Sequence, residues 1–381
     1  MTGFPPAPGE QVTLANWRTA PFNRWGFQHV RELLPSADIP NDRHHSWELP
    51  RALVDLPLGD LEATDTDGLV ILHHGRIVFE YYAHGMTAAS PHILMSVSKS
   101  LLAIIAGILE ASGQLDLARP VTEVIPELKA TAYRGATIRQ LLDMRVGVEF
   151  NEDYLAMSGP IVAYRKATGW NPLGPGDKPS DLRSFLHELT GSDGPHGGRF
   201  HYVSPNTDLL GWVIERSGGV RYADLVSELL WRPMGAEYGA YITVDRLGAP
   251  RCAGGMCVTT RDLARVGQLI VDGGKCGGTP VIPPAWIEDL FEQGDPRAWD
   301  QGPFGQYYPG LPMHYRGKWY VRCGDRPLLF GMGVNGQNLF IDRAAGIVIA
   351  KFSSQAMPLD APRMALTMTW VEHVRSLLGG A

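Results

Sequence analysis

The sequence lacks any long hydrophobic run. Its 381 residues hold no stretch close to the roughly 18 consecutive apolar residues that a membrane-spanning helix needs. The longest candidate, Leu101 to Leu109, predicts a buried helix instead. The first residues also lack the basic start and apolar centre of a secretory signal. We therefore predict a cytoplasmic protein with no membrane partner.

Cysteine and basic charge are also scarce. A formal net charge of -6 and the absence of a long basic run make nucleic acid an unexpected partner. The paired histidines at His44-His45 and His73-His74 have no HExxH pattern around them, which favours turn and surface positions. We expect no metal and no cofactor. The 4 cysteines have spacings that fit no zinc site and are predicted to be reduced thiols: Cys252, Cys257, Cys276 and Cys323.

Strand patterns occur near both ends of the chain, and helical patterns lie between them. The runs 69–72 and 77–82 predict one β-hairpin, and the runs 338–342 and 346–352 predict another. Helical patterns cover residues 94–111, 137–144, 181–190, 208–217, 361–378 and a segment that Thr260 can cap.

This order of strands, helices, strands and a closing helix predicts an α/β (α+β) protein. Residues 1–118 and 241–381 would form a sheet domain, with the first 50 residues as an irregular arm. Residues 119–240 would form an inserted, mostly helical domain. A chain that leaves and re-enters a domain in this way often has its site in the cleft between the two parts.

The tetrad Ser96-Val97-Ser98-Lys99 is the strongest candidate for chemistry. Positions i and i+3 of a helix share a face, so the two outer side chains can meet if Ser96 opens the helix. A serine hydroxyl needs a base to become a nucleophile, and apolar surroundings favour the neutral form of a lysine. No serine has a glycine two residues before it, so GxSxG is absent. The tetrad instead has the SxxK pattern of penicillin-recognising enzymes.

Two further clusters leave alternatives open on the residues alone. Tyr202 lies in a run from Phe200 to Asp208 and could relay a proton to a leaving group. The alternative is an ordinary loop that ends in a helix cap at Thr207 or Asp208. The run from Gly331 to Gln337 could supply an oxyanion-hole N–H, or could be only a tight turn into the final hairpin.

Taken together, these motifs resemble those of the 6-aminohexanoate-dimer hydrolases, the nylon-oligomer hydrolases of the class C β-lactamase and serine esterase superfamily. The similarity runs from about Asn16 to the end of the chain. The matching runs are ILMSVSKSL from Ile93, NEDY from Asn151, FHYVSPNTDLLGW from Phe200, TTRDLARVG from Thr259 and GMGVNGQNLFID from Gly331. The resemblance implies a penicillin-recognising fold, with an antiparallel sheet flanked by helices.

The resemblance also implies roles for single residues. Ser96 would be the nucleophile, with Lys99 and Tyr202 as its base and acid. The backbone N–H groups of Ser96 and Val334 would form the oxyanion hole. We further expect the Lys99 cation to keep Tyr202 partly ionised. Residues implied to contact the substrate or to support the site are Tyr154, Trp170, Ser204 and Trp319.

Two positions depart from the family pattern. An acidic residue that pairs with the substrate ammonium is expected on the loop after Tyr154, and by ungapped count Arg165 stands there. A polar side chain is expected where the sequence has Ala253. Both changes disfavour cleavage of the nylon dimer, and neither affects the acylation residues.

We therefore expect a serine hydrolase that acts on small carboxylic esters and on short amides. One alternative is a β-lactamase or D-alanyl peptidase, although no Lys-Thr-Gly precedes the last hairpin and Val334-Asn335-Gly336 stands nearest to it. Another alternative is a binding module that kept this fold and lost turnover. The sequence leaves a homodimer open.

Overall fold

The computed structural model describes residues 3–56 and 61–380. The strands are β1 (Ser36–Ile39), β2 (Thr66–His73), β3 (Arg76–Tyr82), β4 (His92–Ile93), β5 (Ala240–Thr243), β6 (Met256–Val258), β7 (Lys275–Cys276), β8 (Thr279–Pro280), β9 (Met313–Arg316), β10 (Trp319–Arg322), β11 (Leu328–Gly333), β12 (Gln337–Asp342) and β13 (Ile347–Ser353). The α-helices are α1 (Asn23–Gly26), α2 (Val97–Ala111), α3 (Val121–Val124), α4 (Ile138–Leu142), α5 (Pro160–Ala167), α6 (Leu182–Leu186), α7 (Pro205–Gly218), α8 (Tyr222–Val226), α9 (Thr260–Val271), α10 (Pro284–Glu292), α11 (Pro296–Asp300) and α12 (Ala361–Gly379).

The larger sheet of the described chain is antiparallel and has the strand order β3-β2-β13-β12-β11-β10-β9. Its strands come from both ends of the chain, as predicted. Both predicted hairpins are present, as the pairs β2–β3 and β12–β13. The antiparallel sheet with flanking helices confirms the predicted fold class.

Helices cover both faces of this sheet. Successive strand side chains point to opposite faces, and β2 is apolar on both. Val70 and Leu72 belong to the core that also holds residues of α2 and α9. Leu69 and Ile71 belong to a second core that includes residues of α12. The continuous apolar run in β2 therefore reflects a strand buried on both sides.

A smaller antiparallel sheet, with the order β1-β5-β6-β4, was not predicted from the sequence. Its strand β1 lies in the amino-terminal arm and pairs with β5, so the prediction of an irregular arm is wrong at residues 36–39. Strands of two to four residues carry too little periodicity to be recognised. This sheet matters for the site because β4 leads directly into α2.

The helix predictions need two further corrections. The first helical pattern begins at Val97 instead of Leu94, so Ser96 occupies the N-cap position of α2. The cap of α9 is Thr259, whose side chain accepts a hydrogen bond from the N–H of Asp262, and not Thr260. Residues 119–239, all of them described, form helices and loops without a named strand. The division into domains at these points stays a prediction.

Among the residues that the structure describes, no helix combines the length and the apolar character needed to cross a membrane. In the same ranges, no group of three or more His, Cys, Asp or Glu side chains is placed to hold a metal ion. The four cysteine thiols are free.

Candidate active site

Ser96 stands at the start of α2, where the chain leaves the smaller sheet. The N–H of Leu94 donates to the carbonyl of Met256 in β6 at 2.8 Å, and Ser98 Oγ accepts from the N–H of Met256 at 3.2 Å. Met95 adopts a left-handed backbone conformation with φ +44°. Such strain in a residue other than glycine persists only where its surroundings hold it, and it is concentrated at functional sites. The start of the helix is therefore fixed from both sides of Ser96.

Lys99 lies one turn further along α2 and is almost completely buried. Its Nζ lies 2.8 Å from Ser96 Oγ and 2.7 Å from the carbonyl oxygen of Ala253. Burial, assisted by the nearby Arg251 cation and opposed by the carboxylates of Glu152 and Asp208, lowers the pKa of Lys99 to about 7. The amine can therefore be neutral near physiological pH and accept a proton from the adjacent hydroxyl.

Tyr202 approaches the same hydroxyl from the loop before α7. Its phenol is hydrogen-bonded to the Ser96 side chain, and Lys99 Nζ lies 4.9 Å from the centroid of its ring. Burial raises the pKa of Tyr202, and the hydrogen bond from Ser96 opposes this rise only in part. The expectation of a partly ionised Tyr202 is therefore wrong, because its desolvation outweighs any favourable cation. A neutral phenol can donate a proton.

Glu152 connects the loop that carries Tyr154 to the start of α7. Its carboxylate accepts the N–H of Ser204 at 2.8 Å and the hydroxyl of Ser204, and it also accepts the hydroxyl of Tyr154 at 3.1 Å. The hydroxyl of Ser204, which the resemblance implied to be in or near the site, is bonded to Glu152. The sequence analysis missed Glu152, although it lies in the NEDY run.

A buried ion pair between Asp208 and Arg251 lies beside the backbone segment that binds Lys99. Asp208 accepts hydrogen bonds from the Arg251 guanidinium and from the hydroxyl of Tyr164, and its other oxygen accepts the N–H of Ala253 at 2.8 Å. The carbonyl of Ala253 in turn accepts from Lys99. The sequence suggested Asp208 only as a helix cap, because its partner Arg251 is 43 residues away in the chain.

The segment after β11 lies against the start of α2. A Cβ atom on Gly333 would stand 2.7 Å from the carbonyl oxygen of Leu94 and 2.9 Å from the nitrogen of Ser96, which is closer than real contacts allow. Only glycine therefore lets this strand end approach so closely. The next residues, Val334–Gly336, form a 3₁₀ turn with Asn335 at φ +61°. In the described residues, neither the N–H of Ser96 nor that of Val334 donates to a backbone carbonyl.

Ser96 opens into a cavity of about 410 Å³, a size typical of small-ligand sites. Of the residues that the sequence predicted, this cavity is lined by Ser96, Tyr154, Arg165, Trp170, Ser204, Ala253 and Val334. A neighbouring cavity of about 420 Å³ is lined by Tyr202 and by the aromatic rings of Phe150, Phe304 and Tyr307. The two cavities share Glu152, Tyr154, Leu155, Met357 and Pro358.

One predicted wall residue lies elsewhere. Trp319 is completely buried in β10, within the main hydrophobic core, and does not line either cavity. Its prediction as a pocket residue is wrong, because its side chain packs into the main core of the sheet. Conversely, the amino-terminal arm contributes Trp17 and Arg18 to the cavity, and neither was predicted.

Comparison with known proteins agrees with this geometry. The family model described as Beta-lactamase matches residues 60–368. A 6-aminohexanoate-dimer hydrolase from Paenarthrobacter ureafaciens is 37% identical over 362 residues, which cover 93% of this chain and 91% of that protein.

Solved structures extend the likeness. A candidate 6-aminohexanoate-dimer hydrolase from Bacillus anthracis is 28% identical, with a TM-score of 0.88 over 98% of each chain. A family VIII carboxylesterase is 17% identical, with a TM-score of 0.59 over 82% of this chain and 94% of that one. At this low identity, the similarity to the carboxylesterase shows a shared fold.

Proposed function

Because this chain belongs to the β-lactamase family of serine hydrolases, we propose that it hydrolyses small carboxylic esters through an acyl-enzyme on Ser96. One observation carries the proposal. The Ser96 hydroxyl lies 2.8 Å from an amine whose pKa burial lowers to about 7, at the wall of a ligand-sized cavity. A nucleophile, its base and a space for the acyl group are therefore together.

In the first step Ser96 Oγ attacks the ester carbonyl, and its proton passes to the neutral amine of Lys99. The new C–O bond converts the carbonyl into a tetrahedral oxyanion. The N–H groups of Ser96 and Val334 donate to this oxyanion, and preorganised donors of this kind contribute much of the catalysis in acyl transfer. The field at the start of α2 favours the same negative charge.

In the second step the bond to the leaving oxygen breaks, and Tyr202 gives its proton to that oxygen. The proton held by Lys99 then restores the phenol, so the alcohol leaves and the acyl group remains on Ser96. Water attacks the acyl-enzyme by the reverse proton route, which releases the acid and regenerates both side chains. Apart from the ester and one water molecule, these steps use only groups of the chain.

Short amides form the second class of substrate that we propose, because the Paenarthrobacter ureafaciens relative is a 6-aminohexanoate-dimer hydrolase. Arg165 argues against that particular dimer, since it lines the cavity where an ammonium would have to bind. Glu152 does not offer a ready alternative, because its oxygens already accept from Ser204 and Tyr154. The cytoplasmic location and a homodimer stay predictions from the sequence.

The test is hydrolysis of p-nitrophenyl acetate, p-nitrophenyl butyrate and the linear 6-aminohexanoate dimer by the wild type and by Ser96→Ala. Ser100→Ala is the matched control, because its buried hydroxyl lies on the same helix and donates to the carbonyl of Lys318 at 2.9 Å. We expect ester turnover in the wild type and in the control, and almost none in Ser96→Ala. Undiminished turnover in Ser96→Ala would contradict the proposal. Efficient cleavage of the dimer would contradict the inhibitory effect of Arg165.

A further inference from the structure

Three arginines line the cavity beside Ser96, and they differ in how their charge is balanced. Arg251 is paired with the buried carboxylate of Asp208. Arg18 and Arg165 form no ion pair with any carboxylate in residues 3–56 and 61–380. Glu152 is the acidic residue that lines the same cavity. The cavity therefore has more positive than negative charge on its walls.

The partners of these two arginines are neutral. Arg18 donates to the side-chain oxygen of Asn171, and its guanidinium lies 5.5 Å and 5.6 Å from the ring centroids of Trp17 and Trp170. Its Nε is buried and has no partner. Arg165 donates to the backbone carbonyl of Tyr154 at 2.8 Å. Aromatic faces and carbonyl dipoles hold a guanidinium in position but do not neutralise its charge. The carboxylate of Glu152, which forms no ion pair with Arg165, offsets part of the charge of that arginine.

The pKa of Arg18 also indicates an excess of positive charge in the cavity. Burial, followed by repulsion from Arg165 and then from Arg251, lowers the pKa of Arg18 to about 9. Like charges this close to each other are costly in a partly desolvated space. A bound anion would relieve that repulsion, and a guanidinium fork matches a carboxylate in shape and in hydrogen-bond geometry.

We place the two arginines on the acyl side of Ser96, because they line its cavity and Tyr202 does not. Trp170 contacts both regions of the cavity, since the Arg18 guanidinium lies 5.6 Å from its ring centroid and a Cβ on Gly254 would be 3.2 Å from its ring. Ala253, next to that glycine, holds Lys99. Tyr202, which protonates the leaving group in the proposed mechanism, lines the other cavity. The acyl chain would therefore extend toward the arginines, and the alcohol would leave through the aromatic cavity.

We propose that Arg18 and Arg165 bind a carboxylate at the far end of the acyl chain, so that the preferred substrates are monoesters of dicarboxylic acids. This inference rests on the proposed acyl-enzyme mechanism. It differs from a general preference for acidic molecules, because the alcohol part of the ester can remain uncharged and apolar.

The test compares p-nitrophenyl esters that differ only at the far end of the acyl chain: the monoadipate, its methyl ester and the 6-aminohexanoate. We expect kcat/KM of the wild type to be at least about tenfold higher for the monoadipate than for the methyl ester, as a charge-assisted hydrogen bond predicts. It should be lowest for the cationic ester. Because water and salt reach the cavity, the preference should shrink as ionic strength rises.

Single substitutions test whether Arg18 and Arg165 cause the preference for the monoadipate. In Arg18→Gln and in Arg165→Gln, the ratio of kcat/KM for the monoadipate to kcat/KM for its methyl ester should fall toward one. The ratio should stay at its wild-type value in two matched controls, Arg24→Gln on the same arm and Lys166→Gln on α5, because these cations pair with Asp65 and Asp177 at the surface. A ratio that stays unchanged in both cavity variants would overturn the inference.

A measurement on the wild type alone covers the case in which the variants do not fold. Adipate should inhibit hydrolysis of p-nitrophenyl butyrate competitively and more strongly than hexanoate, and 6-aminohexanoate should inhibit least. Equal inhibition by adipate and hexanoate would overturn the inference while leaving the esterase mechanism intact. Butyrate hydrolysis that survives Ser96→Ala would instead overturn the mechanism itself.

Discussion

The acid limb of the pH–rate profile should report the protonation of Lys99. Burial lowers the pKa of this amine from its ordinary value of 10.5 to about 7, which corresponds to roughly 5 kcal/mol against the charged form. At pH 8 about nine in ten Lys99 side chains would then be neutral, compared with fewer than about one in a hundred for a solvated lysine. The enzyme would therefore have an active base at neutral pH.

The direction of the pH dependence of kcat/KM follows from the role of Lys99 as a proton acceptor. Below its pKa the ammonium has no lone pair for the proton of Ser96, so kcat/KM should fall about tenfold for each pH unit below 6. Above pH 8 it should be flat until another group titrates. Stopped-flow or plate assays with p-nitrophenyl acetate between pH 5 and 9 would measure the midpoint. A profile that is flat from pH 5.5 to 8 would refute the reasoning.

Substitutions separate a base from a fixed cation. Lys99→Arg keeps a positive charge but cannot accept a proton, so at pH 8 it should lose about 10²- to 10⁴-fold in kcat/KM, as should Lys99→Met. Lys351 is the matched control, because burial also lowers its pKa to about 7 and it lies outside both cavities. Lys351→Met should leave the midpoint in place. Substantial activity in Lys99→Arg would mean that the charge, and not proton transfer, is what matters.

Substitution of Glu152, whose carboxylate raises the pKa of Lys99, gives a second test of the role of Lys99 as the base. Glu152 favours the ammonium form of Lys99, so its removal should lower the pKa of the amine further. The midpoint in Glu152→Gln should move to lower pH. A shift to higher pH would contradict the electrostatic assignment.

Three further predictions concern the support of the site. Asp208→Asn leaves a buried guanidinium without its partner and should cost about 3–5 kcal/mol in urea unfolding, whereas a loss below 1 kcal/mol would show that the pair is dispensable. Gly333→Ala should lower kcat for p-nitrophenyl acetate by about 10²-fold, because its Cβ would push the strand end away from the oxyanion site. It should also lower the melting temperature, since the atoms that the Cβ meets are backbone atoms and must move. Unchanged kcat would refute this. Thr259→Ala should cost about 1 kcal/mol of stability and more than Thr260→Ala, since the former is the cap of α9.

The parts of the molecule that follow local rules could be predicted from the sequence. Ser96 and Lys99 meet because a helix places residues three apart on one face, and that relation needs no tertiary information. The two hairpins were recognisable because runs rich in strand-forming residues flank short turns, as at His74-Gly75.

Other parts depend on contacts between distant segments. The pairing of Arg251 with Asp208 and the contact of Arg18 with Asn171 join residues 43 and 153 positions apart, and no spacing rule indicates either. The strand β1 has four residues and is stabilised by its partner β5. Trp319 was placed at the pocket wall by the resemblance alone, whereas in this chain it is buried in β10 within the main core.

The central claim is that the acyl group is carried on the oxygen of Ser96, and trapping the intermediate tests it most directly. Wild type, Ser100→Ala and Ser96→Ala would each be mixed with a fluorophosphonate and with p-nitrophenyl acetate, and intact mass and peptide mapping would locate the adduct. The account predicts one adduct per chain on the peptide that contains Ser96, in the wild type and in the control, and none in Ser96→Ala. An adduct that persists in Ser96→Ala, or that maps to another residue in the wild type, would contradict it.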